Sequence, residues 1–142
     1  MSDVDQILKF WFEESTETQW FEKDPAFDRQ IENRFSLLVE DAAEGKLDNW
    51  LETPRGTLAY ILLLDQFTRN IHRGSGKAFA ADAKARAAAT TALEKGYDQD
   101  FSDKEKTFLY LPFEHSETLE DQERSVALFK ALGDDRRTDY AV

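Results

Sequence analysis

Apolar residues recur along the chain at three- and four-residue steps, the spacing that gathers them on one stripe of an α-helix. Val4, Ile7, Leu8, Trp11 and Phe12 form the first stripe, with Asp3 expected as its N-cap and Glu13–Thr16 as its break. A short segment carrying Trp20 and Phe21 follows. Asp24-Pro25 then opens a helix through Phe27, Ile31, Phe35, Leu38, Val39 and Ala42, which Gly45 ends. Thr53-Pro54 opens another, through Leu58, Tyr60, Ile61, Leu62, Leu63, Leu64 and Phe67 to about His72. Apolar on nearly every side, this helix is expected at the centre of the fold.

The second half reads the same way. Gly74-Ser75-Gly76 is a turn, and Asp82 is expected to cap an Ala-rich helix that runs to Lys95 and stops at Gly96. Ser102-Asp103-Lys104-Glu105 is a capping box for a helix carrying Phe108, Leu109, Tyr110, Leu111 and Phe113, with Pro112 expected to end or kink it. A last helix, from about Leu119 to Leu132, stops at Gly133 and leaves a polar tail from Asp134 to Tyr140. Short turns between helices favour antiparallel hairpins. The expected fold is therefore all-α, a stack of about seven to eight helices in pairs. The spacing of Ala85, Ala89 and Ala92-Leu93 matches a tetratricopeptide unit, although no clean repeat of about 34 residues is visible.

Composition supports that class. The 142 residues suit one domain over residues 1–142, and 16 Ala and 15 Leu outweigh a total of 8 Val and Ile. With no Cys, a disulfide scaffold and thiolate chemistry are excluded; with two His, so is a three-His metal site. The net charge of −11 argues against nucleic-acid binding. The longest apolar run, Leu58–Leu64, is seven residues, too short to span a membrane, and the acidic start lacks signal-peptide character. A cytoplasmic location is expected.

One patch resists a purely structural pattern. Asp65 and Gln66 directly follow four apolar residues on the helix expected to be most buried, and pair at i, i+4 with Arg69 and Asn70. Such groups cost several kcal/mol to bury unless partnered. His72 and Arg73 close that helix, where the helix dipole alone would favour positive charge. A second unusual stretch sets His115 among Glu114, Ser116 and Glu117, with Gln122 on the following helix. Ser116 or Thr118 would equally serve as the cap of that helix. From Asp65 to Arg86 two acids face five bases, a local +3 within the acidic chain, enough to concentrate an anionic ligand. Gly74-Ser75-Gly76-Lys77 fails as a phosphate loop, because Ala78 follows the lysine and a helix precedes it. A metal site from His115 with its acidic neighbours is unspecific, and no metal or cofactor is assigned.

Residues 62–74, Leu-Leu-Leu-Asp-Gln-Phe-Thr-Arg-Asn-Ile-His-Arg-Gly, resemble the signature of a bacterial family known as domain of unknown function 924. So do residues 108–117, Phe-Leu-Tyr-Leu-Pro-Phe-Glu-His-Ser-Glu, residues 121–125, and the openings Leu8–Phe12 and Trp20-Phe21. The resemblance implies a tetratricopeptide-like, right-handed superhelix of antiparallel helix pairs, with no settled activity. Thr68 stands where the family commonly has Pro. The family usually continues past the position of Tyr140 into a segment rich in His, Arg and Asn, so the resemblance implies a truncated member.

Two functional expectations follow. The first is a binding or interaction domain, holding a peptide or small anionic ligand in a polar cleft between the 53–73 and 102–117 helices. Asp65, Gln66, Arg69, Asn70, His72, Arg73 and Gln122 are its candidate ligand-binding residues. The second is an enzyme acting on a small anionic substrate, with Arg69 and Arg73 as anion binders. In it His115 is the general acid–base, oriented by Glu114 or Glu117. A structural subunit, such as a homo-oligomer, would instead expose a large apolar patch.

Overall fold

A computed structural model describes residues 2–132, which form an all-α fold with no strand among them. The helices are α1 (Asp3–Lys9), α2 (Glu17–Phe21), α3 (Pro25–Ala43), α4 (Pro54–Ile61), α5 (Thr68–Ile71), α6 (Asp82–Glu94), α7 (Asp103–Glu114) and α8 (Leu119–Leu132). Two π-helical segments extend them: Phe10–Glu14 continues α1, and Leu62–Phe67 joins α4 to α5.

Most helix starts have the expected chemistry. The Asp24 carboxylate accepts from the Ala26 and Phe27 amides, Thr53 accepts from Gly56, and Ser102 with Glu105 completes a capping box. Three local expectations are corrected. Ser2, one residue before Asp3, caps α1 by accepting from the Asp5 amide. Asp82 makes no cap for α6, because its carboxylate is turned to Arg69. Pro112 lies inside α7, which runs on to Glu114. Residues 133–142, including the expected stop at Gly133 and the polar tail, lie outside the described residues.

The run 54–71 is the axis of the molecule: every residue from Gly56 to Thr68 is buried. Helix α3 packs along the Leu62–Phe67 segment and α5, while α1, α6 and α7 meet α4; α8 lies on α7. Gly56 permits the closest approach, since a Cβ there would collide with the Trp50 carbonyl oxygen. At the N-terminal end, Trp11 meets Trp20, Phe27, Phe67 and Phe108 with ring centroids 5.3–6.0 Å apart.

The π segment positions the polar patch. A π turn takes up an extra residue and disturbs the regular carbonyl acceptors of the helix. Here Thr68 Oγ1 donates to the Leu64 carbonyl at 2.9 Å, and Arg69 Nη1 donates to the Asp65 carbonyl at 2.6 Å. Asp65 and Gln66 belong to this segment and are buried on the axis.

Candidate functional site

Asp65 is 0% exposed, yet its carboxylate is well supplied with donors. Oδ2 accepts from Gln66 Nε2 at 2.8 Å; Oδ1 lies 2.8 Å from His115 Nδ1 and 3.4 Å from Arg69 Nη1. Because a carboxylate only accepts, the imidazole donates from Nδ1, and its Nε2 remains available to a ligand. The two long motifs thus meet: α7 ends with His115 as its C-cap, against the π turn that carries Asp65.

Arg69 is fixed in turn. Its two terminal nitrogens each reach an oxygen of Asp82 at 2.9 Å, a bidentate pair, and its guanidinium lies 5.1 Å from the centre of the Phe79 ring. Beside this pair opens a cleft of about 670 Å³, whose lining includes Arg69, Phe79, Asp82, Arg86, His115, Ser116 and Glu117. Arg86 Nε is 3.4 Å from Asp121, whose carboxyl is held below its ordinary range chiefly by the Ser116 hydroxyl, which donates to it at 2.6 Å. The Nη donors of Arg86 have no carboxylate partner among the described residues.

On the other flank of His115 is a hollow of about 210 Å³ lined by Trp20, Phe21, Gln66, Leu111 and Glu114. Burial pushes the Glu114 carboxyl up to about 7; the nearby Asp65 charge acts the same way, against His115 and Arg69. Glu114 Oε2 is buried without a hydrogen-bond partner among the described residues.

The structure therefore gathers Asp65, Gln66, Arg69, Glu114 and His115, with Glu117 in the lining of the larger cleft. It places the other sequence candidates elsewhere. Asn70 and Arg73 both donate to Asp28 of α3, at 2.8 Å. Burial alone would raise the Asp28 carboxyl, but the bonds from Arg73 and Asn70 hold it below its ordinary range. His72 lines a separate surface hollow with Glu32 and Asn33. Gln122 donates to the Glu114 and Ser116 carbonyls at 2.5 and 2.6 Å, closing the end of α7.

The cationic island is corrected as well. Its excess positive charge is met by carboxylates from distant segments: Asp28 faces Arg73, Asp121 faces Arg86, and Asp48 lies 4.0 Å from Lys84. Folding therefore leaves a cleft of mixed sign. Sequence reasoning missed Asp82 as the partner of Arg69, because an acid at a helix start reads first as a cap. It also assigned nothing to Phe79, a wall of the cleft, or to Trp20 beyond the core, where it packs while also walling the smaller hollow. Among the described residues, no group of three or more His, Asp or Glu is arranged to hold a metal ion. No described helix is long and apolar enough to cross a membrane.

The chain is similar to a solved structure, the protein of unknown function ATU0120 from Agrobacterium tumefaciens. The two share 39% identity and a TM-score of 0.92 over 97% of this chain and 77% of that one. None of the curated proteins matches it. The family model for a bacterial protein of unknown function, DUF924, matches residues 7–141, a span that includes both motifs converging on His115. On that match the chain belongs to the DUF924 family.

Proposed function

We propose that the protein is a binding domain for a small polar ligand carrying an anionic group, with His115 at the centre of its site. The observation that carries this reading is the 2.8 Å contact between His115 Nδ1 and the fully buried Asp65, at the wall of the larger cleft. A buried carboxylate that fixes one ring nitrogen leaves the other as an oriented probe. The cleft volume of about 670 Å³ falls within the range of small-molecule sites, roughly 300–1,000 Å³. That size favours a small ligand over a long peptide. Since Arg69 is already paired with Asp82, the unmatched Nη donors of Arg86 are the natural anion contact. In this reading the helices form the tetratricopeptide-like stack expected from the sequence, and the cleft opens beside the α7–α8 turn.

Catalysis on the same ligand class is the second reading. Asp65 would orient His115 as a general acid–base, and Glu114, titrating at about 7, would supply or take a second proton. Glu117 lines the cleft, but it is Asp65 that bonds His115 and so takes the orienting part that the sequence assigned to Glu114 or Glu117.

Inorganic phosphate and acetate, titrated separately into isotope-labelled protein, test the binding reading. Saturable shifts are expected at His115, Ser116 and Arg86, with at least about ten-fold weaker binding in Arg86→Ala, the loss typical of a charge-assisted contact. Absence of saturation, or shifts confined to the His72 hollow, would overturn it.

A further inference from the structure

The hollow behind His115 has a chemistry distinct from the larger cleft. Trp20 and Phe21 present rings at 88° to one another with centroids 6.2 Å apart, Leu111 adds an apolar wall, and Glu114 contributes a carboxyl group. Phe21 is 38% exposed, one of four large hydrophobic side chains that reach the surface among the described residues.

The carboxyl group lacks what a buried acid needs. Glu114 is half-buried: its Oε2 is covered and accepts no hydrogen bond among the described residues, which leaves the rest of the side chain to border the hollow. Its charged neighbours are committed elsewhere: His115 Nδ1 to Asp65, and Arg69 to Asp82 and Asp65. The charges that act on it come from His115, Asp65 and Arg69, while α2 sets the neutral Trp20 and Phe21 beside it and α8 the neutral Gln122. A buried carboxylate in this condition is destabilised until a donor or a positive charge reaches it. Two aromatic side chains wall the hollow beside that acid, and aromatic rings attract a cation. Trp20 already accepts one within the chain, as Lys104 Nζ lies 5.8 Å from its ring centroid.

We propose that this hollow binds an organic ammonium group, with its alkyl part against Trp20, Phe21 and Leu111 and its charge against Glu114. The group belongs to a free small amine or to a lysine side chain. At about 210 Å³ the hollow takes a few heavy atoms, which suits the ammonium end of such a ligand. The inference does not depend on the anion reading, because the hollow shares only His115 with the larger cleft and takes the opposite ligand charge.

The coupling to pH has a definite sign. A bound cation favours the ionised carboxyl, so binding strengthens as Glu114 loses its proton. For a group titrating at about 7, the ionised fraction rises roughly ten-fold from pH 6 to pH 8. The experiment is a titration of isotope-labelled protein with n-butylammonium and, separately, with Nα-acetyl-lysine amide, at both pH values and constant ionic strength. Saturable shifts are expected at Trp20, Phe21 and Leu111, with about ten-fold tighter binding at pH 8. Tighter binding of the lysine derivative assigns the site to a protein side chain, and tighter binding of butylammonium to a free amine.

Glu114→Gln should weaken binding at pH 8 by about ten-fold and remove the pH dependence. Its spectrum reports whether the fold is retained. Phe21→Ala, at a half-exposed position, is the second variant and should weaken binding several-fold by removing one π wall. The proposal is overturned by non-saturating shifts, by equal or tighter binding at pH 6, or by undiminished affinity in folded Glu114→Gln. Shifts centred on Arg86 and Ser116 would likewise overturn it. None of these outcomes bears on the phosphate titration.

Discussion

Replacing Asp65 with alanine is expected to destabilise the protein by about 3–5 kcal/mol, the usual consequence of removing one member of a buried charged network. The side chain is 0% exposed and receives Gln66, His115 and Arg69. Without it, the Gln66 amide and the His115 imidazole lose their acceptor in a desolvated space, while Arg69 keeps Asp82. The Thr68 and Arg69 bonds to the π-turn carbonyls remain, so the loss falls on packing between the π segment and the end of α7. Against a typical total of about 5–15 kcal/mol, this variant would be close to unfolding at ambient temperature. Asp65→Asn preserves one accepting oxygen and should lose less. Urea denaturation of the three proteins measures the difference. A cost below about 1 kcal/mol for the alanine variant would mean that solvent replaces the lost acceptor.

Trp11→Ala should cost a similar amount, about 3–5 kcal/mol, for a different reason. Trp11 is 0% exposed and touches Trp20, Phe27, Phe67 and Phe108, so one ring ties the start of the chain to α2, α3, the π segment and α7. Its carbonyl oxygen also accepts from Trp20 Nε1 at 2.9 Å. Four large rings cannot collapse into the space of a lost indole without leaving their rotamers, so a cavity term adds to the transfer term. Because Trp20 walls the ammonium hollow, this variant should also blur the shifts there, whereas Asp65→Ala should disturb the His115 ring first. Thermal unfolding measures the stability loss, and a fall of only a degree or two in Tm would show that α1 is not needed to close the core.

The helical plan was legible because its signals are local. Caps such as Asp24-Pro25, Thr53-Pro54 and Ser102–Glu105 act within four residues, and the three- to four-residue apolar stripe is visible without knowing what it packs against. The burial of 56–68 followed from its lack of a polar face. The π turn was not legible, since nothing in Leu62–Phe67 distinguishes it from an ordinary helix. Pro112 misled because a rule about lost hydrogen bonds does not weigh the tertiary packing that keeps α7 going for two more residues.

The candidate site was half legible for the same reason. Asp65 among four leucine-type neighbours announced itself as a cost that something must offset. That His115 supplies the answer from 50 positions away is a tertiary fact. Asn70 and Arg73 carried the same kind of signal as Arg69, yet they turn to Asp28: Asn70 is one position round the helix from Arg69, and Arg73 lies past the end of α5 at Ile71. Charge summed along a segment likewise ignores partners that folding brings in. Asp28, Asp48 and Asp121 therefore discharge an island that looked cationic in sequence.

Everything proposed for the larger cleft rests on Asp65 holding the His115 ring in one orientation and one tautomer. Long-range proton–nitrogen correlation spectra of the imidazole rings read this directly, and with two His in the chain a His72→Gln variant completes the assignment. Recorded where the rings are neutral, the account predicts that His115 carries its proton on Nδ1, with Nε2 bare, and that Asp65→Asn loses this preference. A His115 ring protonated on Nε2, or one averaging between tautomers as free histidine does, would contradict it.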